Sequence, residues 1–188
     1  TESGQAWDPV TDGEWVREGG QARVVRPNGR AGARTMALVD LKSDNGSVAA
    51  TIGQVALGWG VVFRYRNPME FWTLTAAPKF ASFNIQHVSG GQAKPMGQVT
   101  MARQEPGTVV LVRFQGPDLV IEINGRQVKE LTDPDGGNGG TRVGLVLAEA
   151  SGTAARWDDF EAKRLPLSAP RPATTRPAGG ASTSTTSR

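Results

Sequence analysis

The sequence predicts an all-β protein, two antiparallel sheets packed face to face, followed by a C-terminal tail without structure of its own. Three observations predict it. From Ala22 onward apolar residues recur with period two, and about every eight to twelve residues the run is broken by Gly, Pro, Asn or Asp, the pattern of short strands joined by turns. No stretch carries helical periodicity. Residues 166 to 188, PLSAPRPATTRPAGGASTSTTSR, contain only Leu167 as an apolar residue larger than alanine, so they cannot bury enough surface to offset their ordering entropy. Their prolines suit an extended spacer, and their Ser/Thr density suits O-glycosylation. Residues 1 to 165 are long enough for one core and are expected to form one domain.

In chain order, strands are expected at 14 to 17, 21 to 26, 35 to 41, 47 to 55, 59 to 66, 71 to 77, 81 to 88, 96 to 102, 108 to 115, 118 to 124, 126 to 131, 142 to 149 and 155 to 164. Turn chemistry sets register in two places. In VVLVRFQGPDLVIEINGRQVKEL, Gly116-Pro117 closes one hairpin and Asn124-Gly125 the next; the Asn-Gly pair suits a type I′ turn, which needs positive φ at both central residues. The first turn pairs Phe114 with Leu119, Val112 with Ile121 and Val110 with Ile123, and the second pairs Ile121 with Val128. All fall on one face, with Arg113 and Glu122 on the other, so register and hydrophobic pattern agree. In GWGVVFRYRNPMEFWTL, a turn at Asn67-Pro68-Met69-Glu70 sets Arg66 against Phe71, Tyr65 against Trp72, Arg64 against Thr73 and Phe63 against Leu74. Trp59, Val61, Phe63, Tyr65, Trp72 and Leu74 then face the core. Arg64, Arg66, Phe71, Thr73 and Thr75 face outward. In the next strand Phe83 and Ile85 point in, while Ser82, Asn84 and Gln86 point out.

The ordered pieces WDPVTDGEW, WGVVFRYRN, EFWTL, VSGG, VIEINGRQV, TRVGLVL and ARWDDFEA resemble the concanavalin A-like lectin and glucanase superfamily, in particular its laminin G-like and keto-disaccharide hydrolase-like domains, over roughly residues 5 to 164. The resemblance implies a jelly roll with one convex and one concave sheet and with the first and last strands side by side. It also implies glycan binding on the concave face or its rim, and in several relatives a structural calcium ion. The implied ion site is Asp158 or Asp159 near the chain end, together with Asp8, Asp12 or a backbone carbonyl from the first segment.

Composition narrows the function classes. The net charge is +3, from 21 basic and 18 acidic residues. Three of the arginines, Arg171, Arg176 and Arg188, lie in the acid-free tail, so the body is neutral. It shows no clustered Lys/Arg run of the kind phosphate recognition needs, and no nucleic-acid partner is expected. There is no cysteine, which excludes disulfide scaffolds, thiol catalysis and thiolate metal sites. No run approaches the roughly 20 apolar residues of a membrane span. The chain begins at Thr1, as expected of a processed exported protein or of a piece of a longer one.

The candidate ligand site is the outward row Arg64, Arg66, Phe71, Thr73, Asn84 and Gln86. Fork-shaped donors and amides are the groups that bind sugar hydroxyls and carboxylates, and an exposed Phe71 could stack on a sugar ring. The competing reading is an ordinary solvated sheet face with cross-strand pairs. Trp59, Trp72 and Trp157 are expected in the core, the last sharing a face with Phe160 across a bulge, whereas Trp7 and Trp15 suit either core or surface. Asp133-Pro-Asp135-Gly-Gly-Asn138 looks like the start of a calcium loop but departs from the EF-hand at its fifth and twelfth positions, Gly137 and Gly144; a Gly-rich turn capped by aspartates explains it. His87, the single histidine, is expected at the surface or in a loop with a backbone partner.

Glycosidases of this fold place two or three carboxylates at alternate positions of one strand, and no strand here does so; the nearest approach is Asp159-Phe-Glu161. The expectation is therefore a non-catalytic, exported recognition module on a bacterial cell surface that binds a polysaccharide or glycoconjugate, with calcium as a structural ion. A module that docks another envelope protein and a glycan-active hydrolase are the alternatives.

Overall fold

The computed structural model describes residues 8–9, 13–28, 34–78, 81–101, 103–137, 139–149 and 153–166. The expected tail beyond Pro166, Trp7 and Asp12 lie outside them. Fourteen strands appear among the described residues: β1 (Asp8–Pro9), β2 (Glu14–Glu18), β3 (Gln21–Arg26), β4 (Thr35–Asp40), β5 (Gly46–Gln54), β6 (Trp59–Asn67), β7 (Glu70–Ala76), β8 (Ser82–Ser89), β9 (Gln92–Thr100), β10 (Val109–Gln115), β11 (Asp118–Ile123), β12 (Arg126–Thr132), β13 (Arg142–Leu147) and β14 (Arg156–Arg164). They form two seven-stranded sheets, the first in the order β1-β4-β13-β6-β7-β8-β9 and the second β12-β11-β10-β5-β14-β3-β2. The fold class is as the sequence predicts. The first strand, however, lies on an edge of the first sheet, while the last runs between β5 and β3 of the second.

The core is built by the alternation that the strands carry. Trp59, Phe63, Trp72, Leu74, Phe83 and Ile85 from the first sheet meet Val48, Ile52, Val110, Val112, Phe114, Ile121 and Trp157 from the second, all at most 1% exposed. Burying a large aromatic is favoured where its polar atom finds a partner, as it does for two of the core tryptophans. The Trp157 indole donates to the Gly60 carbonyl of the opposite sheet at 3.0 Å, and the Trp59 indole donates to Gln104 at 3.1 Å. Trp15 packs against Trp157 with ring centroids 5.1 Å apart.

The β10–β11 hairpin has the predicted register, Val110 with Ile123, Val112 with Ile121 and Phe114 with Leu119. Asn124 and Gly125 take φ of 52° and 75°, as a type I′ turn demands. One residue pair departs from expectation. A bulge after Ile121 sets it opposite Lys129 rather than Val128, and Val128 is left 38% exposed. In β14 a second irregularity between Asp158 and Glu161, with Asp159 at φ 43°, is the expected bulge: it buries Trp157 and lets Phe160 pack against the same core.

The tight connection after β4 is held by Asp40. Its carboxylate accepts the Lys42 amide at 2.8 Å and the Lys42 ammonium at 2.7 Å, which fixes Lys42 at φ 55°. Burial pushes the Asp40 carboxyl up, but the Lys42 and Thr141 hydrogen bonds and the Lys42 charge outweigh it and bring it down to about 2 from 3.8. A carboxylate depressed in the folded state contributes stability above its unfolded pKa that is lost as pH falls through the folded one. Asp40→Asn is thus expected to destabilise the protein at neutral pH, the deficit against the parent shrinking as pH drops from about 4 and disappearing below about 2; denaturant melts followed by circular dichroism across that range check it.

Candidate functional site

The turn between β6 and β7 closes as the sequence predicts, with Asn67 opposite Glu70. The register then breaks. The next pair is Phe63 with Trp72, so Arg64, Tyr65 and Arg66 together oppose Phe71 alone. Arg64 sits at φ 49°, an uncommon conformation for a side chain of its size. Two extra residues leave the parity of the preceding strand intact, which is why Trp59, Val61 and Phe63 face the core as expected. Within the bulge the faces are exchanged.

Arg64 is therefore not on the outer surface. It is 1% exposed, and its guanidinium donates to Asp133 Oδ2 at 2.6 Å and to the Gly116 carbonyl, with its carbon 5.6 Å from the Phe114 ring centroid. Burial lowers the pKa of Arg64, and the hydrogen bond and charge of Asp133 oppose that. The chain after β12 folds over the bulge because it lacks side chains where it touches: a Cβ on Gly140 would lie 2.3 Å from the Arg64 carbonyl oxygen.

Tyr65 goes the opposite way. It stacks on Phe71 with centroids 5.6 Å apart, and the pair joins Met36, Leu38, Val62, Val88 and Val146 in a second buried cluster on the outer side of the first sheet. Phe71 is accordingly not an exposed platform, being 3% accessible. Arg66 is exposed at the end of β6.

The outward positions of β7 and β8 are as predicted. Thr73 pairs with Gln86 and Thr75 with Asn84; both threonines are buried, and Asn84 and Gln86 are half-buried. Sequence reasoning missed Arg34. It immediately precedes β4, yet its guanidinium donates to Gln86 Oε1 on β8 at 3.0 Å and lies 5.4 Å from the Phe71 ring centroid. Those strands stand four apart, about 19 Å across a flat sheet and farther than an arginine and a glutamine reach together. The first sheet is thus curved toward this side. Burial lowers the Arg34 pKa, against the charge of Glu149.

Beside this strut an open depression of about 480 Å³ is lined by Asn84, Ile85, Gln86, Pro95, Gly97 and Gln98. It forms where β9 slips register against β8 between Ile85 and Gln86. Gln98 donates to Asn84 Oδ1 at 2.8 Å.

Of the aspartates expected to hold calcium, Asp12 lies outside the described residues, and Asp8 and Asp158 stand on different sheets. Asp8 lies in the first sheet and accepts from Arg142 at 2.9 Å. Asp158 lies in the second and accepts from Gln21 at 3.1 Å and from the Asp159 amide at 3.0 Å. His87 is neither a surface nor a loop residue: it is 1% exposed, stacked flat on Trp72 at 4.4 Å, with Nε2 3.7 Å from Asp135 Oδ2. Its position opposite Trp72 in β7 follows from the same alternation that buries Phe83 and Ile85.

No family model matches the chain, and no curated protein does. Among solved structures, the carbohydrate-binding module CBM66 from Bacillus subtilis superposes with a TM-score of 0.62 at 12% identity, covering 85% of this chain and 96% of that one. A β-1,3-1,4-glucanase (lichenase) derived from a mouse hindgut metagenome superposes at 0.61 and 9% identity, over 86% and 94%. The chain has the concanavalin A-like jelly roll fold. The binding domain of Botulinum neurotoxin DC in complex with rat synaptotagmin II superposes at 0.53 and 10% identity, covering 87% of this chain and 45% of that one. At such identities the likeness is one of fold.

The buried ion pair gives a direct test of the jelly roll's architecture. Arg64→Ala strands the Asp133 carboxylate in the interior and is expected to cost about 3–5 kcal/mol. Replacing both partners, Arg64→Met with Asp133→Leu, is expected to cost less than the single change, since no charge is left buried. Urea denaturation of the two variants checks the order.

Proposed function

We propose that this jelly roll is a non-catalytic recognition module that binds a polysaccharide or glycoconjugate on the curved outer side of its first sheet, at the depression between β8 and β9. The observation that carries the reading is the amide trio Asn84, Gln86 and Gln98 around that depression, braced from the opposite flank by Arg34. Sugar hydroxyls both donate and accept, and primary amides answer both demands. With Gln86 Oε1 and Asn84 Oδ1 already accepting, Gln86 Nε2, Asn84 Nδ2 and Gln98 Oε1 are left for a ligand. Pro95 and Gly97 supply a low apolar floor of the kind a pyranose ring rests on.

The neighbours support the same reading at the level of fold, since a carbohydrate-binding module and a glucanase share it. Binding without turnover is supported by the outward positions of the central strands, Gly60, Val62, Thr73, Thr75, Gly144 and Val146, where glycoside hydrolysis would need a pair of carboxylates. Export and display at a cell surface belong to the proposal, as does a structural calcium ion at Asp158.

Polysaccharide pull-down and glycan-array screening of residues 1 to 165, in calcium and again in chelator, test it. A saccharide hit is expected, with its Kd raised about tenfold or more, roughly 1.4 kcal/mol, by Asn84→Ala with Gln98→Ala. A folded protein that retains no saccharide overturns the reading.

A further inference from the structure

The core-facing side of the first sheet, at the residue that follows Gln86 on β8, carries a second polar cluster, one that the sugar-binding reading does not use. His87 Nε2, Asp133 and Asp135 each offer a ligand atom, and the three atoms lie within 4.8 Å of one another. They come from β8 and from the turn after β12, so the group is assembled by the fold and not by a sequence motif. Two of the three side chains are almost wholly buried, and that of Asp135 is 52% exposed, which leaves a way in from solvent.

Nε2 of His87 points into this group without a hydrogen-bond partner. A buried imidazole nitrogen left unmatched is destabilising, a cost that a ligand at that nitrogen would remove. The charges point the same way. Arg64 balances Asp133, and with a neutral imidazole the group is one negative charge in excess through Asp135.

We infer that His87, Asp133 and Asp135 form a divalent metal site selective for zinc or a zinc-like cation. One imidazole and two carboxylates are the nitrogen and oxygen donors that zinc takes in three-ligand sites, which complete a tetrahedron with water. The mixed donor set disfavours calcium, which takes six to eight oxygens. The surroundings supply what ligands of this kind need. Asp133 is oriented by the Arg64 guanidinium on Oδ2 and by the Asp135 amide, which donates to Oδ1 at 3.0 Å; His87 is held flat by Trp72. Such outer partners fix ligand direction and tune affinity. A tetrahedral ion with bonds of about 2.0–2.2 Å places its ligand atoms about 3.4 Å apart, close to the 3.7 Å between His87 and Asp135.

The test uses the untagged chain, stripped with chelator and titrated with zinc chloride by calorimetry, with cobalt(II) as the spectroscopic probe. One ion per chain is expected, with a raised Tm and the visible absorption of four-coordinate cobalt. His87→Gln and Asp135→Asn are each expected to abolish the cobalt spectrum and weaken zinc at least tenfold. Asp135 is half exposed and its replacement isosteric, so that variant reports on the site even where the buried His87 change impairs folding. An absence of zinc heat and of any zinc-dependent rise in Tm overturns the inference, and so does an Asp135→Asn chain that binds as tightly as the parent.

Discussion

The ion pair between Arg64 and Asp133 is the constraint on which one whole end of the molecule depends. A guanidinium is tolerated in an interior only when its charge and its donors are matched, and here the match comes from two stretches far along the chain from Arg64: a carboxylate after β12, and the β10–β11 hairpin, which gives the Gly116 carbonyl and the ring of Phe114. The β6 bulge aims the side chain inward, and the glycines of the 136–140 segment let the backbone close over it. The first sheet, the β10–β11 hairpin and the segment after β12 are thereby tied at a single point. Their apolar contacts alone would specify packing density there but not orientation.

The same bulge decides what the outer side of the first sheet is made of. By turning Tyr65 outward it gives Phe71 a stacking partner and converts what would be a solvated polar face into a second apolar layer. Polar groups are displaced toward β8 and β9, where Asn84, Gln86 and Gln98 surround the depression. Arg34 then joins the two flanks across the apolar layer, its stem over carbon and its charged end at Gln86, as long cationic side chains do. The buried ion pair and the proposed recognition site are thus divided between the two faces of the same sheet.

How far the sequence reveals this follows from the range of each signal. Period-two alternation and the Gly-Pro and Asn-Gly turns are local, and they located thirteen of the strands and the β10–β11 register. The two-residue strand at Asp8 is too short to carry a pattern, and β9 begins at Gln92, before the strand expected from residue 96. The bulges in β6 and β12 were not legible, because a bulge exists to satisfy partners across the fold, and no spacing within FRYRN announces that Asp133, 69 residues on, needs a cation. Of the expected ligand row, Asn84, Gln86, Thr73 and Phe71 do share one side of the sheet, Arg64 does not, and Phe71 is covered. Arg34 was missed for the same reason that Arg64 was misplaced: its partners are long-range.

The irregularity that creates the depression also lies on an open sheet edge. Among the described residues β9 has no neighbour on its far side, and an unpaired strand is a template on which another chain can build. Pro95 removes one of the backbone donors such pairing would use, Lys94 adds charge, and Gly97 at φ 137° breaks the extended line. Pro95 and Gly97, which shape the floor of the proposed site, thus also guard this edge against polymerising. Ligand fit and solubility depend on the same two positions, so a variant regularised there to bind more snugly would, by the same change, become adhesive toward its own copies.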